Sequence, residues 1–350
     1  MILRFRFLFF ALMVSLFASC FKKDEAIVLQ PPGNVEVDQV AMGADYVNQI
    51  YYQLSTKESF VSDHRSWDLA FETSTSGYHI WINGSNQIFV ANTYNSNFNY
   101  INDTIGANWK WDASSWHKDS TAIGDWVNTN PPDPTVASEI PFNSAPGKIE
   151  EMEASTGVYL IDLGPDMAAT ERFKKAVFET VDHFQYTFKY SNLDNSDLHE
   201  ITIQKEPAYA YTYFSIRNNN QVVYPEPIKP KWDILFTRYR TILYSGGTML
   251  HYPVTGVLIN PEGYSVAIDS TIEFSTIDYA FAKNLNYQSN RDVIGYNWKH
   301  YLFTPPLYEV SSYINYIIKD NKGYYWKLHF IGFNNDQGVK GYPQFEYQRL

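Results

Sequence analysis

The chain has 350 residues, of which 45% are hydrophobic and 17% aromatic, and its formal net charge is −11. A chain of this length and hydrophobicity can fill a sizeable core, which excludes a wholly disordered protein. The negative charge makes nucleic acid and anionic membrane surfaces poor partners. Because only one cysteine is present, no disulfide can form within the chain, and stability must come from packing.

The first nineteen residues have the layout of a secretory signal peptide. Arg4 and Arg6 precede an apolar run over residues 7–17, which is too short to span a bilayer as a helix. The run ends in Phe17-Ala18-Ser19-Cys20, which resembles the bacterial lipobox. That resemblance implies cleavage before Cys20, lipidation of Cys20 and a mature chain held to a membrane through its lipid anchor alone. The alternative is an ordinary signal peptide followed by an incidental cysteine.

Residues 20–44 are predicted to form a lipidated tether. Lys22-Lys23-Asp24-Glu25 follows the cysteine and looks like the surface-export signal of Bacteroidetes lipoproteins, and Pro31-Pro32-Gly33 continues it as a spacer. A merely solvated linker is the alternative to an export signal. The segment therefore predicts an outer-membrane protein that is exposed at the cell surface.

Short β-branched and aromatic runs bounded by turn residues dominate the rest of the chain. Examples are residues 158–163, 211–216, 232–236 and 316–319. Long amphipathic stretches of helical period are scarce. The pattern predicts an all-β fold of antiparallel sheets, arranged as a β-sandwich or an open barrel.

An internal duplication is visible in the order of these runs. Tyr51-Tyr52-Gln53-Leu54-Ser55 precedes Trp67-Asp68-Leu69-Ala70-Phe71, and Tyr213-Phe214-Ser215-Ile216 precedes Trp232-Asp233-Ile234-Leu235-Phe236. We therefore predict two related β units, residues 45–205 and 206–350. The Trp-Asp pairs themselves are interpreted as structural, and Lys175 and Lys327 are expected to extend toward solvent.

The second unit resembles the HmuY family of Bacteroidetes haem-binding lipoproteins. Its Trp-Asp-hydrophobic-x-Phe strand at residues 232–236 is followed by Gly323-Tyr324-Tyr325-Trp326-Lys327-Leu328 and a closing Phe345-Glu346-Tyr347. The first unit is a looser copy of the same pattern. The resemblance implies a β-rich, non-catalytic protein that binds haem as its cofactor or cargo and passes it to a TonB-dependent outer-membrane receptor.

The resemblance places ligand-binding residues in the variable region of the second unit, residues 240–313. His251 with His300, or Met249 with His300, is the predicted pair of axial haem ligands. No metal other than the haem iron is expected. Four aromatic residues of the same region are candidates for the pocket wall: Tyr252, Tyr296, Trp298 and Tyr301. The alternative is that each of these side chains is an ordinary surface or half-buried loop residue that binds no ligand.

Two other functions remain open at this point. Four tryptophans at residues 109–126, interleaved with polar residues, could stack on a sugar, so a non-haem lipoprotein that binds a glycan or a protein is the main alternative. More often such a stretch packs its own aromatics over a sheet. A hydrolase using Asp112 and Asp125 as acid and nucleophile has the least support, and we expect no enzyme activity.

Overall fold

The computed structural model of the protein describes residues 32–124, 127–128, 152–153 and 157–350. Cys20, Asp125 and Trp126 therefore lie outside the described residues, as does the predicted signal peptide. Asn34–Leu350 forms one compact unit. Its regular structure is almost entirely antiparallel β, which confirms the predicted fold class. The strands are β1 Glu36–Gln39, β2 Asn48–Tyr52, β3 Ser59–Asp63, β4 Leu69–Glu72, β5 Ile80–Ile82, β6 Phe89–Asn92, β7 Val127–Asn128, β8 Met152–Glu153, β9 Tyr159–Asp162, β10 Phe173–Val181, β11 Gln185–Asn192, β12 His199–Gln204, β13 Tyr211–Ser215, β14 Gln221–Val223, β15 Ile234–Ser245, β16 Thr248–Ile259, β17 Ser265–Asp269, β18 Lys299–Phe303, β19 Pro306–Val310, β20 Asn315–Lys319, β21 Tyr325–Asn334 and β22 Lys340–Arg349.

Helical segments are short. Among the described residues, one α-helical turn, α1, covers Tyr279–Ala282, and the Asp278 carboxylate caps it by accepting a hydrogen bond from the Phe281 N–H. In the part of the chain that the structure describes, no helix is long and apolar enough to span a membrane.

Two β-sandwiches make up the compact unit. In the first, the sheet β16-β15-β2-β3 packs against the sheet β1-β22-β21-β20-β17. In the second, the sheet β14-β13-β4-β5 packs against the sheet that contains β6 to β12. Each core is filled by alternate residues of the facing strands, such as Phe236 and Phe345 in the first and Phe71 and Phe188 in the second.

The two four-stranded sheets lie next to each other through their outer faces. Tyr51 of β2 and Tyr213 of β13 lie close to each other across this boundary, where both line one small cavity. Trp232 packs edge-on against Tyr51 at 4.9 Å, and Trp67 packs edge-on against Tyr213 at the same distance. The sandwiches therefore form four β layers, with the two four-stranded sheets inside.

Strand pairing crosses the predicted boundary after residue 205. The β2–β3 hairpin, from the first predicted unit, pairs with β15 of the second. The β13–β14 hairpin, from the second predicted unit, pairs with β4 of the first. The limits 45–205 and 206–350 therefore do not divide the protein into its two sandwiches. The reason is that both aromatic strands carry the same pattern, so local sequence cannot decide which strand each will join.

The predicted tether also needs correction at its end. Residues 36–39, within the segment 20–44, form β1 and pair with β22. The Asp38 carboxylate of β1 accepts a 2.6 Å hydrogen bond from the Tyr52 hydroxyl. This strand covers an edge that would otherwise expose unpaired backbone groups.

The Trp-Asp aspartates are structural, as the sequence suggested. The Asp68 carboxylate accepts hydrogen bonds from the Ile216 N–H at 2.8 Å and the Arg217 Nε at 2.6 Å, just after β13. The Asp233 carboxylate accepts one at 2.6 Å from the Leu54 N–H, just after β2. Each aspartate thus binds the end of the aromatic strand that comes from the other half of the sequence.

Lys175 and Lys327 are buried, so the expectation that they extend to solvent is wrong. Lys175 Nζ donates to the Ile101 carbonyl at 2.7 Å, and Lys327 Nζ donates to the Ile277 carbonyl at 3.0 Å. Each ammonium also lies within 5 Å of a phenylalanine ring, Phe98 at 4.8 Å and Phe274 at 4.6 Å. Satisfying loop carbonyls with a buried lysine fixes the loop on the sheet beneath it.

The tryptophan-rich stretch packs on the protein itself at its described positions. Trp116 stacks on Trp81 at 5.2 Å, and Trp111 lies edge-on to His251 at 4.3 Å. Asp112 accepts backbone hydrogen bonds from Ile82 and Ala122. These contacts give the stretch a structural role in covering the inner sheets.

Candidate functional site

A wide cleft lies between two β-hairpins of the first sandwich. One hairpin is formed by β15 and β16, which pair with each other over twelve residues. Only the first part of β15 also pairs with β2, so the rest of the hairpin extends beyond the sheet. The other is formed by β18 and β19, which pair only with each other. The cleft between them has a volume of about 740 Å³, within the range of small-molecule sites.

Aromatic side chains dominate its wall. Tyr301 and Phe303 lie on one face of β18 because alternate residues of a strand share a face, and Tyr308 is the register partner of Tyr301 on β19. Tyr252 of β16 lies on the opposite wall, and Tyr296 comes from the loop before β18. Phe303 is 85% exposed and Tyr252 53% exposed, so the cleft presents apolar surface that the protein does not bury itself.

Cationic side chains line the same cleft. Arg238, Lys299 and Lys340 contribute to the wall. Lys299 is buried, its Nζ donates to the Thr255 carbonyl, and burial lowers its pKa to about 7. Lys340 lies over the ring of Tyr46, whose pKa is raised by burial and by the neighbouring Tyr308. The cleft can therefore accommodate a flat apolar ligand that carries acidic groups.

His300 is one of the residues that line the cleft, and it lies on the hairpin that carries Tyr301. It lies between Lys299 and Tyr301 on β18, and its Nε2 is 2.8 Å from the carboxylate of Glu309, its register partner. The imidazole is about half exposed. A ligand that binds the imidazole through Nε2 would have to displace the Glu309 carboxylate.

His251 and Met249 lie on the other face of the β15–β16 hairpin from Tyr252. The His251 ring contacts Phe89 at 5.0 Å and Trp111 at 4.3 Å, both edge-on. Partial burial and the Arg240 charge lower its pKa. Met249 is 44% exposed near the hairpin tip. This arrangement does not bring His251 or Met249 together with His300, so neither predicted ligand pair is assembled in this conformation.

The predicted pocket aromatics divide in the same way. Tyr252, Tyr296 and Tyr301 line the cleft, whereas Trp298 is fully buried in the core and stacks on Phe330 at 4.1 Å. The lining residues that the sequence did not point to include Tyr46, Arg238, Leu243, Lys299, Phe303, Tyr308 and Lys340. The alternation Lys299, Tyr301, Phe303 before a Pro-Pro turn was a signal for one wall of the cleft.

Across the described ranges, no group of three or more His, Cys, Asp or Glu side chains is arranged to hold a metal ion. What the cleft offers is apolar contact, phenol groups and positive charge. That combination is suited to binding an organic ligand that has both an apolar surface and acidic groups.

Residues 208–347 match the HmuY protein family. This part of the chain is similar to the HmuY family. The match confirms the predicted family and contains both cleft hairpins, so the cleft is a feature of the HmuY part of the chain. It begins just before β13, the strand that joins the second sandwich. No curated protein matches the sequence.

Solved structures of similar proteins were also found. Apo PinO from Porphyromonas gingivitis is 10% identical, covers 91% of this chain and 97% of its own, and has a TM-score of 0.28. The apo HmuY analog TFO of Tannerella forsythia is 10% identical, covers 91% of this chain and 98% of its own, and has a TM-score of 0.20.

Proposed function

We propose that this protein binds haem, or a related flat ligand with acidic groups, in the cleft between the two hairpins, without catalysing a reaction. The observation that carries the proposal is the HmuY match over residues 208–347, which includes the hairpins on both sides of the aromatic cleft. Ligand uptake for nutrition is the role that the family resemblance implies.

The chemistry of the cleft fits such a ligand. A porphyrin is a planar apolar ring, which Tyr252, Tyr301 and Phe303 can contact from the two hairpins. Its two propionates need cationic partners, which Arg238 and Lys340 supply in the same wall. The volume of about 740 Å³ is sufficient for a ligand of this size.

For the iron, we propose His300 as the axial ligand. It is the histidine of the cleft hairpin, and its only described tie is the exposed contact with Glu309, which holds it weakly. His251 and Met249 would need the β15–β16 hairpin to rotate before they could take part. Tyrosine is the other ligand type present in the cleft, and Tyr301 is the nearest candidate along the same strand.

A haemin titration of the purified protein tests the proposal. We expect a saturable, red-shifted Soret band at about one equivalent of haemin that persists when bovine albumin is added as competitor. His300→Ala should alter the band and weaken binding by about 10–100-fold, the scale on which groups that support a metal site act. His199→Ala is the control. His199 also pairs with an exposed carboxylate, that of Asp197, but it lies in β12 and is not part of the cleft wall.

The variants separate the possible ligand arrangements. An unchanged band in His300→Ala together with a changed band in Tyr301→Phe would assign the iron to the tyrosine. A change in His251→Ala equal to that in His300→Ala would show that the hairpins rearrange to form the two-histidine site. A featureless, non-saturating response of the unaltered protein would contradict haem binding.

Glycan binding is the alternative that such a negative result would favour. A second cavity of about 550 Å³ lies in the N-terminal half, with Asn95, Asn102 and Asn108 in its wall. Tyr94 and Tyr100 border it and are 75% and 72% exposed. Amide groups beside exposed aromatic rings are suited to sugar hydroxyls and sugar faces.

We further propose that the chain is a lipoprotein of the outer membrane, exposed at the cell surface and served by a TonB-dependent receptor. The support is the lipobox-like sequence ending at Cys20 and the charged cluster behind it. A lipid-modified cysteine carrying two or three acyl chains anchors a protein stably, whereas a single chain binds only marginally.

Replacing Cys20 tests the anchor. In the native host, Cys20→Ala should move the protein from the membrane fraction to the soluble fraction and abolish incorporation of labelled palmitate. Ser19→Ala is the control, since alanine is also small and should leave processing intact. Continued membrane association of an unlabelled Cys20→Ala protein would contradict lipid anchoring.

A further inference from the structure

A small cavity of about 40 Å³ lies between the two inner sheets. Its wall comes from both sandwiches: Gly84, Asp112 and Trp116 on one side, and Arg240 and Arg291 on the other. It is separate from the hairpin cleft, with which it shares only Arg238. Two buried guanidinium groups beside one cavity are costly unless their N–H groups have acceptors.

Arg240 of β15 is 2% exposed. Its Nη2 donates to the Ile88 carbonyl, and its guanidinium lies 4.3 Å from the centre of the Phe89 ring. Its Nε and Nη1 are buried and have no hydrogen-bond partner among the described residues. Burial lowers its pKa to about 10, so it is still cationic at neutral pH.

Arg291, in the loop between α1 and β18, is 7% exposed. Its guanidinium stacks 3.8 Å above the ring of Trp116. Its Nε is also buried without a partner in the part of the chain that the structure describes. The two arginines therefore bring at least three unused N–H donors to the wall of one cavity.

The neighbouring carboxylates do not satisfy these donors. Asp112 accepts from the Ile82 and Ala122 N–H groups, both at 2.7 Å. Glu226, which interacts electrostatically with Arg291, accepts from the Ala210 N–H at 3.1 Å and the Tyr213 hydroxyl at 2.7 Å. Arg238 adds a third positive charge to the wall. The carboxylate oxygens near the cavity are thus already engaged, whereas three arginine side chains line its wall.

We infer that this cavity binds a monatomic anion of chloride size between Arg240 and Arg291. The volume limits the ligand, because about 10–15 Å³ is needed for each enclosed water and 40 Å³ leaves room for one such ion with one or two waters. Bound there, the anion supplies the acceptor that the guanidinium groups lack and stabilises the boundary between the two sandwiches.

Crystals of the protein grown in bromide test this directly. The expected result is an anomalous bromide peak in the cavity, within hydrogen-bond distance of Arg240 and Arg291. Ordered waters at that position with no anomalous signal at high bromide would overturn the inference, because water alone would then serve as the acceptor.

Thermal unfolding without haemin gives an independent readout. Exchanging gluconate for chloride at constant ionic strength should raise the Tm by about 3 °C, since a ligand that binds only the folded state stabilises it. The same exchange should not raise the Tm of Arg240→Met or Arg291→Met, whereas the exposed control Arg65→Met should respond like the unaltered protein. An equal rise in all four proteins would overturn the inference, and if the buried variants do not fold, the bromide crystal still decides.

Discussion

Asp68→Ala is expected to lower the free energy of unfolding by about 3–5 kcal/mol, the cost of leaving one member of a buried ion pair alone. Asp68 is fully buried, and the side chain of Arg217 is only 8% exposed. The substitution removes the acceptor for the Arg217 Nε and for the Ile216 and Arg217 N–H groups. Burial raises the pKa of the Asp68 carboxyl, while the Arg217 charge and these hydrogen bonds oppose that rise.

Two further aspartates make this a graded test. Asp233→Ala removes hydrogen bonds to the Leu54 N–H and the Tyr264 hydroxyl but leaves no buried cation behind, so we expect a smaller loss of about 1–3 kcal/mol. Asp63→Ala breaks an exposed pair with Arg65 and should cost about 1 kcal/mol or less. Urea unfolding of the three variants measures the order.

Arg217→Met is the second arm of the test. The loss of stability in Asp68→Ala is attributed to the buried Arg217 guanidinium that is left without its partner. If this is correct, the double variant Asp68→Ala/Arg217→Met should lose less unfolding free energy than the sum of the losses in the two single variants. Additive losses, or an Asp68→Ala protein within about 1 kcal/mol of the unaltered one, would contradict the proposed role of the pair.

The sequence was sufficient to predict the all-β class and the family because both depend on local features. Short β-branched and aromatic runs between turn residues identify strands wherever those strands pair. The Trp-Asp motif could be interpreted as structural because a large ring beside a short acid suits a strand end. In the structure, Trp232 is fully buried and Asp233 accepts from Leu54.

Which strands pair could not be predicted, because pairing is a long-range property. Tyr51-Tyr52 and Tyr213-Phe214 carry similar patterns, so either could bury the same face against either Trp-Asp strand. The structure pairs Tyr52 with Ile234, and Phe214 with Leu69. The predicted domain limits failed for this reason, although the strands themselves were found.

The candidate site was predicted only in part for a related reason. The region 240–313 contains both cleft hairpins, and Tyr252, Tyr296 and Tyr301 line the cleft. The side of each strand on which a residue lies depends on register, which places His251 against Trp111 and His300 against Glu309. Of the three predicted ligand residues, His300 lines the cleft, whereas register turns His251 and Met249 to the other face of their hairpin.

Lys299→Met is expected to stabilise the ligand-free protein at pH 7 by about 2–4 kcal/mol and to change how its stability depends on pH. Lys299 Nζ donates to the Thr255 carbonyl and lies 4.3 Å from the ring centre of Trp298. Among the described residues, no carboxylate forms an ion pair with it. Burial is the cause that lowers its pKa from 10.5 to about 7, while contact with the aromatic rings recovers part of the cost.

The direction of the pH effect follows from proton binding. Between about pH 7 and pH 10.5 the lysine is protonated in the unfolded chain and increasingly neutral in the folded protein. The unfolded state therefore binds more protons, and stability rises with pH by up to about 1.4 kcal/mol per pH unit from this group. Below pH 7 both states are protonated, and the full cost of the buried charge remains.

Urea unfolding between pH 6.5 and pH 9.5 measures the effect. The difference in stability between Lys299→Met and the unaltered protein should be largest at pH 6.5 and shrink as the pH rises. Burial raises the pKa of Asp112 and Glu226 to about 7, so these two groups lower stability as the pH rises from about 4 to 7, and they do so equally in both proteins. Lys319→Met, at an exposed position of β20, is the control and should parallel the unaltered protein. A constant difference across this range would show that Lys299 is charged in the folded protein throughout, and would contradict the effect of burial on its pKa.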